Sequence, residues 1–126
     1  MGKISRHTTT RHLDLDGMEG HYGVLDSFIV SFESYAHDED PAPLFIGLAD
    51  NACQARHWGV VLEGTLVIRY TDNSEEVIEA GEAYYAPPGH LPLFKAGTRL
   101  IEFSPTDEFD KTMAKVKVNV DAIQAG

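Results

Sequence analysis

Only one cysteine, Cys53, occurs in the chain, so no internal disulfide can form and nothing points to an oxidising compartment. Basic residues are scarce too: 10 Lys and Arg stand against 20 Asp and Glu, a net charge of −10. Gripping nucleic acid, or docking on an anionic bilayer, requires clustered cations facing phosphates, so neither partner is expected. No apolar run approaches the ~20 residues that cross a bilayer. The opening MGKISRHTTTRH has no hydrophobic stretch of the secretory-signal kind, which makes a cytoplasmic location the expectation. Internal repeats and low-complexity tracts are missing as well.

What remains is the composition of one folded domain. Hydrophobic residues make up 43% and charged residues 24% of the 126 positions, too apolar for disorder and enough for a single core. Residues 1–12, with Lys3, Arg6, Arg11, His7 and His12 and no periodicity, read as a flexible or weakly docked arm. The stretch 16–20 has turn composition, and Val24 to Tyr35 alternates as one strand. His37 to Pro43, acidic and holding two prolines, must be a loop, with a short apolar run at 44–48 after it. Further β-rich runs follow at 58–62, 65–70, 76–80, 84–85 and 99–103, each bounded by turn residues such as Glu63-Gly64, Asp72-Asn73-Ser74, Gly81 and Pro87-Pro88-Gly89. Short strands at this spacing predict an all-β barrel or sandwich over residues 13–103.

The last segment, 104–126, changes period. Ser104-Pro105-Thr106-Asp107 reads as a helix start, and Phe109, Met113, Val116, Val120 and Ile123 recur at helical spacing. The expectation is an α-helix whose apolar stripe packs on the barrel or on a dimer partner.

Two stretches resemble the paired motifs of the cupin superfamily. Val61-Leu62-Glu63-Gly64 is similar to the turn ending the first motif, and Gly81 through Pro87-Pro88-Gly89 to the start of the second, with sixteen residues between the two glycines. The resemblance implies a small double-stranded β-helix, or jelly-roll barrel, that pairs as a homodimer. The usual ligand slots hold other residues: Asn51 and Cys53 in the two histidine slots, His57 in the glutamate slot, and Pro92 in the last histidine slot, with His90 two positions before it. The pattern His57-Trp58-Gly59, Gly81, Pro87-Pro88-Gly89-His90 resembles cupin-like chains without an assigned reaction.

In an extended strand, residues of like parity share a face, so Cys53, His57, Gly59 and Val61 point one way and Trp58 the other. With that register His57 faces the barrel cavity, His90 approaches it from the second motif, and Cys53 joins them. Cys, His and His are a sensible donor set for a divalent transition metal: zinc, iron, manganese or nickel. Each residue also has a plainer reading, Cys53 as core packing and the histidines as satisfied structural groups. A Cys53 nucleophile with His57 as its base is a further alternative. Glu102, between Ile101 and Phe103, faces either a wet cavity, as ligand or general base, or solvent, and Glu33 poses the same question. Tyr84 and Tyr85 straddle two faces of one strand, so one of them lines the pocket. The candidate set is thus catalytic His57, His90 and Glu102, ligand-binding Tyr84, Tyr85 and Glu33, and metal-ligating His57, His90 and Cys53. The remaining histidines, His7, His12, His21 and His37, read as surface residues. Three functions compete: a metal-holding, small-molecule-binding cupin of lyase, isomerase or oxygenase type; a metal-free sensor or carrier; and a structural module.

Overall fold

The computed structural model describes residues 2–125. Its strands are β1 (Arg11–Leu15), β2 (Met18–Leu25), β3 (Phe28–Tyr35), β4 (His57–Glu63), β5 (Thr65–Arg69), β6 (Glu75–Glu79), β7 (Ala83–Ala86), β8 (Leu91–Phe94) and β9 (Thr98–Pro105), followed by one helix, α1 (Thr106–Ala125). They form two antiparallel sheets, a six-stranded one in the order β1-β2-β3-β9-β4-β7 and a three-stranded one in the order β6-β5-β8. Val61, Tyr84 and Leu100 from the first sheet pack with Leu66, Ile68, Ile78 and Phe94 of the second, and this shared core makes the two layers a jelly-roll barrel.

Several elements differ from the sequence reading. The stretch 24–35 is the corner of a hairpin: Asp26 turns the chain with φ 58°, and β2 begins at Met18, inside the stretch read as a turn. Aspartate tolerates this left-handed conformation, so no glycine marks the corner. Strand β1 starts at Arg11, inside the segment read as an arm, and Arg6 of that segment pairs with Glu19 at 2.7 Å. Leu44 and Phe45 of the apolar run end a 3₁₀ turn, Ala42–Phe45, where Pro41 and Pro43 suit its start, and residues 46–48 lie beyond it. Pro92 sits within β8, a strand the sequence hid. The position is at the edge of the smaller sheet, where a missing N–H costs least.

The helix also begins two residues late. Ser104 and Pro105 finish β9, and the first helical residue, Thr106, donates its N–H to the Ser27 carbonyl at 3.1 Å. The apolar stripe does not lie on the outside of a sheet. Phe109, Met113 and Val116 turn toward the barrel interior and close one end of it together with Phe45 and Leu44, while Ile123 stays 56% exposed. Asn119 ties the helix down by donating to the carbonyls of Leu44 and Ile46 at 2.7 and 2.9 Å.

The motif turn is seated tightly. Gly64 has φ +79°, and a Cβ there would lie 2.6 Å from the Thr98 Cα. Thr98, fully buried, accepts the Thr65 N–H at 3.0 Å and donates back to the Thr65 carbonyl at 2.9 Å. Gly81 has φ +89° with open space around it. In urea denaturation Gly64→Ala is expected to cost about 3 kcal/mol, from left-handed strain plus a backbone clash, and Gly81→Ala about 1 kcal/mol from strain alone. Equal losses would refute the close seat of Gly64 on Thr98.

Candidate metal and ligand site

Strand register decides which side chains meet inside the barrel, because a slip of one residue would turn every side chain to the opposite face. In β4, Trp58 pairs with Phe103 on β9 and Tyr85 on β7, and Gly59 pairs with Glu102 and Tyr84. His57, Gly59 and Val61 point inward. Trp58, Tyr85 and Phe103 form an outward aromatic row, with exposures of 38, 44 and 40%. Tyr85 packs tilted against Trp58 at 5.1 Å on the outer face, and Tyr84, in the core, commits its hydroxyl to Glu102; neither lines the cavity, where one of the two was expected to.

Cys53 reaches the cavity by a route other than strand parity, since β4 begins only at His57. A short antiparallel bridge places it: Cys53 N–H donates to the His90 carbonyl at 3.0 Å, and Gly89 N–H donates to the Cys53 carbonyl at 2.8 Å. The Pro87-Pro88-Gly89 turn thereby fixes Cys53 and His90 together. The His57 and His90 rings lie 5.0 Å apart, edge to face, and Cys53 Sγ lies 3.5 Å from His57 Nε2. One donor atom from each of the three falls within 4.8 Å of the others.

Hydrogen bonds prepare these rings. His90 Nδ1 lies 2.6 Å from the Pro87 carbonyl, which only accepts, so Nδ1 carries the proton and Nε2 keeps its lone pair. His57 Nδ1 is held by the Ser104 hydroxyl at 2.6 Å, leaving Nε2 toward Cys53. A donor set of one thiol and two imidazoles, with outer partners that fix both rings, fits a borderline divalent metal. Ser104 escaped the sequence reading because Ser-Pro looked like a helix cap. Its position two residues beyond Glu102, on the same face of β9, was the available signal.

Burial keeps the cluster uncharged. It pushes the Cys53 thiol up to about 12, lowers His57 to about 4, and, with His57 adjacent, lowers His90 to about 3. The pair therefore rests as thiol and neutral imidazole. That opposes a Cys53 nucleophile, which requires thiolate.

Beside the cluster, Glu102 accepts the Tyr84 hydroxyl on Oε1 at 2.6 Å, and its Oε2 stands 3.9 Å from His57 Nδ1. Glu33 accepts two hydroxyls, from Tyr22 at 2.8 Å and from Tyr35 at 3.0 Å. Neither tyrosine was singled out from the sequence. Each carboxyl faces a glycine across its strand pair, Glu102 opposite Gly59 and Glu33 opposite Gly20. A Cβ on Gly59 would meet the Tyr84 ring at 2.6 Å, and one on Gly20 would strike the Tyr22 ring, so each glycine leaves the slot its tyrosine crosses. Burial raises both carboxyls above their ordinary values, and for Glu33 the nearby Glu102 adds to the shift. The cavity has a volume of about 330 Å³ and is lined by Glu33, Glu102, His57, His90 and Cys53 among mainly apolar side chains. His12 and His21 pack together away from it, with His21 Nε2 on Glu19 at 2.7 Å.

The folds of several solved proteins resemble this one. An RmlC-like cupin from Shewanella frigidimarina aligns with a TM-score of 0.56 at 18% identity, over 84% of this chain and 93% of that one. The polyketide cyclase RemF from Streptomyces resistomycificus gives 0.57 at 14% identity, over 83% and 79%. KdgF from a Halomonas species gives 0.54 at 13% identity, over 83% and 94%. No protein-family model matches the sequence, and no curated protein does. By its fold the chain is a small cupin-type domain, with a buried Cys/His/His cluster able to bind a metal.

The raised Glu33 carboxyl has a defined consequence for stability. A group whose folded value lies above its unfolded one stabilises the fold at low pH and loses that contribution as pH rises. Glu33→Gln, always neutral, removes the loss. Its stability relative to wild type is expected to grow from pH 4.5 upward, by about 1–3 kcal/mol at pH 8, in denaturant titrations at each pH. A constant difference across that range would refute the shift.

Proposed function

We propose that this protein is a small-molecule-binding cupin that holds a divalent transition metal on Cys53, His57 and His90. The observation that carries this reading is the convergence of three buried donors, with both histidines oriented by hydrogen bonds through Nδ1. Among zinc, iron, manganese and nickel, the thiol-plus-imidazole set favours zinc. Bound there, the ion would supply a Lewis acid and an acidified water. The residues around it do the rest: Ser104 and the Pro87 carbonyl hold the His57 and His90 rings in orientation, Glu102 Oε2 is positioned to take or return a proton at the ligand, and Tyr84 orients Glu102. With zinc such a set suits lyase or isomerase chemistry on a small ligand; oxygenase chemistry would require a redox-active ion such as iron in the same place. A metal-free sensor or carrier is the second reading, favoured by one observation: the Cys53 thiol already has hydrogen-bond partners in the Ala55 carbonyl and His57 Nε2.

Elemental analysis of untagged protein, offered each of the four metals, separates the two. The expected result is about one equivalent of bound ion, falling several-fold in His57→Ala, His90→Ala and Cys53→Ser. Because both histidines are neutral above pH 5 and only the Cys53 proton must leave, zinc affinity should rise about tenfold per pH unit from pH 6 to 9. Under about a tenth of an equivalent of every metal would overturn the metal reading.

We also propose a second copy of this chain as the partner for the aromatic row of Trp58, Tyr85 and Phe103. Rings this exposed, on a sheet face of an otherwise acidic protein, support self-pairing. Sedimentation is expected to give a dimer mass, and Tyr85→Glu a monomer that keeps the fold. A monomeric wild type would overturn the pairing.

A further inference from the structure

The lining of the cavity has a marked imbalance of charge. Among the described residues it includes four carboxylic side chains, Glu33, Glu39, Asp40 and Glu102, and no lysine or arginine. Asp40 is exposed at the mouth, Glu39 is half-buried, and the two others lie inside. Glu102 is only 9% exposed, and no described residue donates to its Oε2. Glu33 sits diagonally across the β3–β9 ladder from Glu102, two strands from His57, or about 10 Å of backbone spacing. Between these acceptors and the helix the wall is apolar, formed by Leu66, Ile68, Phe94, Phe109 and Met113. The space of about 330 Å³ equals about eleven waters, the lower end of the range for small-molecule pockets.

We propose that this cavity takes a compact ligand with an apolar, ring-sized body and a hydrogen-bond donor, hydroxyl or amine, seated on Glu33 and Glu102 Oε2, and rejects carboxylates and phosphates of the same shape. The assignment rests on the cavity being the ligand site, as proposed above. An anion entering it would lose its hydration and face the Glu33 and Glu102 carboxyls, with no side-chain cation to replace water. A hydroxyl or ammonium meets an acceptor that lacks a partner. Tyr22 and Tyr35, already donating to Glu33, fix its carboxyl plane toward the cavity.

The test uses one ring system with three heads: naphthalenemethanol, naphthylmethylamine and naphthoate, titrated calorimetrically into the full chain with and without zinc. The metal-free protein should bind the alcohol and the amine at least about tenfold more tightly than naphthoate. Glu33→Gln should cost the amine about tenfold and leave the alcohol within about threefold, because the amide keeps an acceptor and loses the charge. Tyr35→Phe, which leaves Glu33 in place, should preserve the order of the three. Naphthoate binding as tightly as the alcohol in the metal-free protein would overturn the proposal, as would binding of none of the three. Tight naphthoate binding only with zinc would overturn it while upholding the metal reading. The expected order in a protein that never takes up metal would uphold it and remove the metal reading.

Discussion

Two carboxyl groups inside an apolar barrel are the most expensive feature of this molecule, and much of the interior is arranged to accommodate them. A buried carboxyl is tolerable only with hydrogen-bond donors, and here the donors are tyrosines. Each tyrosine ring reaches its carboxyl over a position that has no side chain: Tyr84 on β7 passes over Gly59 of the intervening β4 to Glu102, and Tyr22 passes over Gly20, two residues back on its own strand and opposite Glu33. The same device occurs twice, on different strands, and explains two glycines that lie within strands and serve no turn.

The strand that carries Glu102 also orients the Cys/His/His cluster. Glu102 and Ser104 share the inward face of β9, and Ser104 holds the ring of His57. Cys53 and His90 are then brought in from the other side by backbone bonds that involve no side chain, so the triad assembles without a continuous strand through all three residues.

The turns were the most legible part of the sequence, because glycine and proline act locally: Gly64, Gly81 and Pro87-Pro88-Gly89 stand where backbone geometry demands them. The inward aim of His57 followed from parity counted back from the Gly64 turn, which fixes the face that looks into the barrel. Other features depended on residues distant in the chain. Tyr22 and Tyr35 acquire meaning only once β2 and β3 pair, and Asp26 makes a corner that its neighbours do not announce. Pro92, read only as the occupant of a histidine slot, lies in a short strand at a sheet edge that no local pattern announced. Ser104-Pro105 carried a helix-cap pattern that tertiary pairing overrode, since β9 has partners on both sides through Phe103 and keeps its β3 partner through Pro105. Tyr85 was ambiguous by nature, because parity names two faces without saying which is inside.

The helix is connected to the site by more than contact. Arg56, the residue before His57, donates its backbone N–H to Glu108 at 3.1 Å, and its guanidinium grips the same carboxylate at 3.0 and 3.1 Å through Nε. The pair is partly solvated, so its contribution to stability is modest. Its effect is geometric. Glu108 adjoins Phe109, which packs at the end of the barrel, and Arg56 adjoins His57, which faces Cys53 and His90. The bidentate pair therefore ties the first turn of α1 to the residue that leads into β4, so the seat of Phe109 and the start of the strand that carries His57 are set by one contact.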